Sequence, residues 1–559
     1  MPKLNMMETH DDNFSRRNWL KTVTGASVGV GMAATTPSFL HAQPANNHKA
    51  DPLLGARIYN ILDYGAKGDG VTLDTKALQA AIDACNKDQG GTVLVPAGIF
   101  VIGTVELKSN VTLHIAPQGK LLGSADGKQY YAAEAIPLSG DTTLNDGNVG
   151  LLFAVKADNI RIEGPGTIDG QGAQFRSPTK GAPSPAGITG NHRPYHLLFY
   201  QCQNLIVNDI FLKDCAYHSV RIIQSSYVKL DGIHIHSRVI HNNDGFHFIS
   251  CQYVHVVNCD VQSQDDACAL FGSCKFITIT NCTFSTRWSV FRFGGGVAEN
   301  ISISNCIIFE AYGCPIKMRC ERHSRMENIS FSNLVMHKVT GPISIGMGSV
   351  DNPGTARNIS FSGIHANVVI PAPLADAEFT SNYNPGEIKS CIAVNGAEGF
   401  LLENISFNDV HITFAGGGTA EDAAIRNVPK NAGEYYADGV FPAYGLYARY
   451  AKGLTLNNVR FEVAAPELRP AMVLDQVTDT AINGLSAQGN KDAESVLRMI
   501  DTQDVLLTAT RVLTPAAVFM RVEGADCRNI KIDGGDLSKA GTPLSFAAGA
   551  KKAAVKFRD

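Results

Sequence analysis

The sequence predicts an all-β chain wound as a right-handed parallel β-helix, a solenoid with an N-terminal capping helix. Three observations carry that prediction. First, a short pattern of alternating apolar residues recurs along the chain. It places Asp209, Gly232, Asn258, Asn281, Asn305, Asn333, Gly363, Asp409, Asn458 and Gly484 just before its last apolar residue. Second, most of those positions are 23 to 30 residues apart, and the two larger gaps, 46 and 49, are close to double spacings. Units of that size holding short strands and no crossover helix cannot bury a face alone, but stacked they can. A β-propeller needs periods of about 40–50 residues, and a sandwich shows no such repeat. Third, 53 glycines and only 18% charged residues, with 44% hydrophobic residues, suit a β-rich chain of 559 residues with many tight turns.

From the N-terminus, Arg16-Arg17 precedes a mildly apolar, Gly/Ala-rich run from Val23 to Ala34, and Leu40-His41-Ala42 offers a cleavage site. Residues 1–42 therefore predict a bacterial twin-arginine export signal. Residues 43–559 are then one exported β-helical domain, periplasmic or secreted and monomeric. No later run is long and apolar enough to span a bilayer. Residues 72–86 form the one clear amphipathic helix, with Leu73, Ala77, Ala81, Ile82 and Cys85 on one face. It is expected to cap the solenoid within an N-terminal region of about residues 57–110, because open strand edges need covering. The coils are expected from about Asn110 to Asp536.

Three insertions interrupt the coils: residues 171–190, 371–387 and 416–444. Their Gly and Pro content predicts loops beside a groove, where Tyr383, Tyr435, Tyr436 and Tyr444 offer faces for sugar rings or for loop packing. Thirteen cysteines without a Cys-x-x-Cys pair argue against zinc. Cys259, Cys282 and Cys306 fall at one place in the repeat and predict buried stacked thiols. Cys314 with Cys320 is a candidate local bridge. A net charge of −4 argues against a nucleic-acid partner.

The chemistry concentrates at residues 242–270. Asp244 and Asp265 are 21 residues apart, about one turn of the coil, and Asp266 follows. On stacked strands about 4.8 Å apart, three carboxylates share one patch. Like charges crowded together raise at least one pKa, so that one acid keeps its proton while another carboxylate activates water. Downstream, Arg287, Arg292, Lys317, Arg319 and Arg322 form a basic run suited to a carboxylate-bearing substrate, or to salt bridges with acids such as Glu310 and Glu321. His247 is placed to orient an acid, bind substrate or serve structure, and His218 with Arg221 lie one coil earlier.

Asn242-Asn243-Asp244-Gly245 followed by Asp265-Asp266, at this spacing on a coil repeat, resembles glycoside hydrolase family 28, the polygalacturonases and rhamnogalacturonan hydrolases. Tyr64-Gly65-Ala66-Lys67-Gly68-Asp69-Gly70 is similar to that family's N-terminal cap. Residues 162–170, Arg193-Pro194 and residues 442–447 resemble its further signatures. The resemblance implies a general acid at Asp265, with Asp244 and Asp266 holding the water. It implies cleavage of an acidic plant cell-wall polysaccharide or oligosaccharide with inversion and without a cofactor or metal. Asn242, His247, Arg287, Arg292, Lys317 and Arg319 would then bind substrate. Asn243 stands where polygalacturonases carry Thr, no histidine stands at residues 287–294 where they carry Gly-His-Gly, and Pro315-Ile316-Lys317 replaces Arg-Ile-Lys. Two other readings fit the same residues: a β-helical lyase whose aspartates hold calcium, and a carbohydrate-binding β-helix without turnover.

Overall fold

The computed structural model describes residues 53–137, 147–190, 192–320, 324–347, 354–374, 376–377, 383–429 and 439–558. The export signal, Glu321, Arg322, Tyr435 and Tyr436 lie outside the described residues. Within them the chain is a right-handed parallel β-helix. One side of the coil is a 15-stranded sheet whose strands follow one another in chain order, from Val105–Glu106 to Ala540–Ala547. The other two sides are ladders joined at a bend into a 26-stranded sheet. Gln203–Asn208 stacks on Ser226–Asp231 in one ladder, and Phe211–Lys213 on His234–Ser237 in the other.

The reason is visible in the repeat. All ten Asn, Asp and Gly positions of the sequence pattern take positive φ, between 50° and 74°. A left-handed residue at each of these points turns the chain from the second side to the third, and Asn, Asp and Gly adopt it at little steric expense. Between bends the strands alternate. Along one inward row Leu205, Val228, Val254, Ile277, Ile301, Ile329, Ile359 and Ile405 lie directly over one another. All of them are buried in one core that runs the length of the coil. Phe331, Phe361 and Phe407 stack in the same way, 5.1 Å apart. Outside, Asn300, Asn328, Asn358 and Asn404 form a ladder in which each Nδ2 donates to the Oδ1 one coil earlier at 3.1 to 3.2 Å.

The helix Thr75–Lys87 buries Ala77, Leu78, Ala81, Ile82 and Cys85 against the first coil. Leu73 belongs to the preceding strand and is exposed, because Asp74 begins the helix two residues later than the pattern suggested. Asp74 instead accepts the amides of Lys67 and Gly68 and closes the glycine-rich cap loop. The coils start within that cap, where Ile58–Asn60 pairs with Gly91–Val95, and run on to Val555–Arg558. The two large gaps are not double turns. Ile364 lies directly opposite Val410, and Val410 opposite Val459. The extra residues are insertions within single turns. Cys314 and Cys320 are both buried, and no disulfide joins them. Cys259, Cys282 and Cys306 stack, with the Cys259 amide 3.4 Å from the Cys282 sulfur. Tyr444 is no groove aromatic: it packs in the core, and its hydroxyl donates to the Gln488 carbonyl at 2.7 Å.

Candidate active site

The acids sit at the turn that leads from the third side of the coil into the 15-stranded sheet. Phe246 lies opposite Cys268 in that sheet. Carried back two residues, this register sets Asp244 on Asp266, and the Gly245 amide confirms it by donating to the Asp266 carbonyl at 3.0 Å. Asp265 lies one place earlier, over Asn243, whose carbonyl accepts the Asp265 amide at 3.1 Å. The residues meet because Asn243 locks the turn. Its Oδ1 accepts the amides of Val239 and Ile240, and its Nδ2 donates to the carbonyls of Cys215 and Tyr217. Asn243 was legible in the sequence only as a departure from Thr, and its role as the hub of the turn was not.

Burial pushes the Asp265 carboxyl up to about 7, helped by the charge of Asp266 and opposed by Lys317 and Arg292. Asp244 also rises well above the ordinary carboxylate range, first through burial and then through Asp265 and Asp266. An ionised Asp244 beside a single protonated acid is the simpler expectation from the spacing, and the structure departs from it. Its 5% exposure is why it too is pushed upward. Asp266 accepts the Ser289 amide at 3.2 Å and faces the Arg292 Nε at 3.9 Å.

His247 Nδ1–H donates to Asp244 Oδ2 at 2.9 Å, and His218 Nε2 stands 3.6 Å from Oδ1. The two rings are stacked 4.6 Å apart. Burial holds both well below the usual histidine range, His218 further through His247 and the cations Arg221 and Arg193, His247 through Arg221. Both rings are therefore neutral, His247 hydrogen-bonded to the Asp244 carboxyl and His218 packed beside it. The same three residues offer ligand atoms within 4.8 Å of one another, close enough to bracket a cation. The 2.9 Å contact is that of a hydrogen bond.

The floor of the site is one outward row of the sheet. Arg221, His247, Ala269, Arg292, Lys317 and Ser344 lie opposite one another on successive strands. Ala269 puts a small side chain in the row between the histidine and the two downstream cations. Arg319 belongs to the next outward row, opposite Gly294. Arg287 is in a different setting. It is 2% exposed, pairs with Glu387 at 3.0 Å and lies over the Tyr383 ring at 4.0 Å. Its charge thus anchors the 383–389 segment beside the site. Asn242 links two parts of the site: its Oδ1 accepts Arg193 Nη2 at 3.1 Å, and its Nδ2 donates to Asp265 Oδ2 at 3.3 Å. Arg193 had stood out only as part of an Arg-Pro pair, and nothing in its spacing pointed to Asp265.

Known proteins resemble this chain in sequence and in fold. The sequence model of glycosyl hydrolases family 28 matches residues 85–433. An exo-poly-alpha-D-galacturonosidase of Dickeya chrysanthemi is 29% identical over 38% of this chain and 41% of its own length. A probable polygalacturonase of Vitis vinifera is 30% identical, again over 38% of this chain and 43% of its own. The chain thus spans about two fifths of the length of these two relatives. Polygalacturonase-2 of Solanum lycopersicum is 25% identical over 71% of this chain and 84% of its own length. The solved structure of the Yersinia enterocolitica family 28 exopolygalacturonase superposes with a TM-score of 0.55 at 18% identity, covering 76% of this chain and 78% of that one.

Proposed function

The chain belongs to glycosyl hydrolases family 28, and from that premise we propose that it hydrolyses a galacturonate- or rhamnose-containing linkage of pectic polysaccharide or oligosaccharide by inversion. The observation that carries this reading is the stacking of Asp244 on Asp266 beside an Asp265 whose carboxyl is raised to about 7. A proton on Asp265 at neutral pH is available to the glycosidic oxygen as the bond breaks. Protonated Asp265 also carries no charge, which removes one of the two like charges that raise Asp244. Asp244 and Asp266 then hold the attacking water and take its proton. His247 and His218 orient Asp244, and Arg292 with Lys317 receive a substrate carboxylate.

The test is product analysis on a panel of pectic fragments, with the anomeric form of the first product read by NMR. The reading requires new reducing ends of inverted configuration from the wild-type protein and at least about a hundredfold fewer from Asp265→Asn. Retained configuration, or equal activity in the variant, defeats it. We extend the proposal to export through residues 1–42. Fractionation of cells expressing the full chain, and of cells expressing an Arg16→Lys, Arg17→Lys variant, tests that part.

A second reading is favoured by the His218, Asp244 and His247 set: a bound divalent cation and β-elimination. It predicts activity that chelators abolish and a product absorbing in the near ultraviolet as an unsaturated uronate.

A further inference from the structure

A cavity of about 230 Å³ opens on the same edge of the coil as the acids, but far from them. Ser495 marks its place. It stands two residues before the strand Leu497–Ile500, as Asp266 stands two residues before Cys268–Phe271. Those strands belong to the same sheet, about seven places apart, or roughly 34 Å at about 4.8 Å per strand. Where the acid turn carries a carboxyl, this turn carries a serine. Ser495 lines the cavity and is 3% exposed, and its Oγ has no hydrogen-bond partner among the described residues. A buried hydroxyl left in that state is costly until a guest meets it. Gln488 lines the cavity too, and its Oε1 accepts the Val463 amide at 2.5 Å, which leaves Nε2 as a donor. The other uncharged polar groups are engaged in the walls. Asn490 Nδ2 donates to the Glu467 carbonyl at 3.1 Å, and Thr514 Oγ1 donates to the Gly489 carbonyl at 2.6 Å. Among the described residues of the lining, Glu467 and Arg469 carry charge, and they pair with each other. Arg469 Nε donates to Glu467 Oε1 at 3.0 Å and Nη2 to Oε2 at 2.8 Å. The cavity is therefore polar without net charge.

We infer that this cavity is a second carbohydrate site, which binds one neutral sugar ring. A charged guest meets no net counter-charge there, because the carboxylate and guanidinium of the lining answer each other. The volume lies below the roughly 300–1,000 Å³ of sites for drug-sized molecules, which limits the guest to about one ring. A sugar hydroxyl both donates and accepts, so it can satisfy Ser495 Oγ and take the Gln488 Nε2–H. Tyr444, Pro466 and Ala493 supply apolar wall for the C–H faces of the ring. The bound ring also lies against the clasp of the 416–444 insertion. Glu467 Oε2 accepts the Gly418 amide at 3.1 Å, and Arg469 Nη1 donates to the Phe441 carbonyl at 3.2 Å. The site does not depend on the hydrolase reading. If that reading holds, a neutral residue of the polymer seated there keeps the rest of the chain at raised local concentration near the acids.

Two measurements test it. In the first, crystals of the wild-type protein are soaked separately in L-rhamnose, D-galactose, L-arabinose and D-galacturonate. A neutral ring in the cavity, within hydrogen-bond reach of Ser495 Oγ, supports the proposal. A cavity that holds only water in every soak overturns it, and so does galacturonate bound there as readily as the neutral sugars. In the second, calorimetry follows the sugar that binds in the wild type, Ser495→Ala and Ala465→Trp. Loss of one hydrogen bond in Ser495→Ala should weaken binding by about two- to tenfold. Ala465 is exposed at the rim, so a tryptophan there covers the mouth and should abolish binding, with an unchanged thermal melt showing that the fold is kept. Equal binding in both variants refutes the site. Because binding is the readout, absence of any pectic cleavage would defeat the hydrolase reading and still leave this site decided.

Discussion

Carboxylates gather at two places beside the 15-stranded sheet, and Asp265 in one and Glu523 in the other are shifted in opposite directions. Near the middle of the coil Asp244, Asp265 and Asp266 crowd together, and both Asp244 and Asp265 are pushed up. Toward the C-terminus Glu494 and Glu523 lie among Arg426, Arg498 and Arg521. Glu523 accepts Arg521 at 2.6 Å and Arg426 at 2.8 Å. Burial alone would raise Glu523, but hydrogen bonds from Arg426 and Arg521 outweigh it and lower the carboxyl. Arg498 and Arg521 even lie opposite each other on adjacent strands, as Asp244 and Asp266 do at the turns that precede theirs. At the C-terminal end the stacked like charges are answered by interleaved acids. At the acid cluster, by contrast, Asp266 faces Arg292 at 3.9 Å. The same scaffold thus produces a stability device where opposite charges alternate, and a proton-holding device where like charges coincide.

The comparison breaks most sharply on activity. Asp265→Asn should lower kcat by about 10²–10⁴, the range for loss of a general acid, with circular dichroism unchanged. Glu523→Gln should leave kcat per folded molecule within about twofold. Equal losses in the two variants would mean that the two groups do not differ in kind.

Stability should respond with opposite signs. Asp265 has a folded pKa near 7 against an unfolded value of about 3.9. Between those values the native state holds more protons than the unfolded chain, so stability falls as pH rises through the window. Removing the charge with Asp265→Asn should therefore stabilise the protein at pH 8, by roughly 1–3 kcal/mol. Glu523 has a lowered folded pKa, so its contribution is present above its unfolded value of about 4.3 and is lost as pH falls. Glu523→Gln should destabilise at pH 7, by roughly 1–3 kcal/mol because it leaves arginine hydrogen bonds without a charged partner. It should have little effect below pH 3. Thermal melts of both variants at pH 3, 5, 7 and 8 check the signs.

Why one of these regions was readable in the sequence and the other was not follows from what each depends on. The coil was readable because every turn needs a left-handed residue, and Asn, Asp and Gly advertise it at ten successive positions. The acids were readable because their spacing matches a coil, although the true partner of Asp244 is Asp266 rather than Asp265. A second set of left-handed positions runs through Asn204, Tyr227, Tyr253, Phe276, Asn300 and Asn328, and its period was hidden where Tyr227, Tyr253 and Phe276 replace asparagine as a stacked column of aromatic rings. Long-range partners were hidden too. Arg287 looked like a substrate ligand because Glu387 is 100 residues away and arrives on an insertion. Nothing local distinguishes an arginine that meets substrate from one that meets a distant loop. The arginines answered by Glu494 and Glu523 are the same case at the other end of the sheet.

The smallest expected effect sharpens the contrast furthest, because it asks whether a cation one step removed still tunes the acid. Lys317 lies opposite Arg292 on the floor of the site, and both lower the Asp265 carboxyl against the larger upward push of burial and Asp266. Rate requires protonated Asp265, so kcat should fall as pH rises through about 7. In Lys317→Met one of the two opposing cations is gone, the carboxyl rises further, and the alkaline limb should move up by about half to one pH unit. A loss of substrate contact alone would raise KM and leave the limb of kcat where it is. The direction of the shift separates the two roles: an alkaline limb that stays fixed or moves down would show that Asp265 does not sense Lys317.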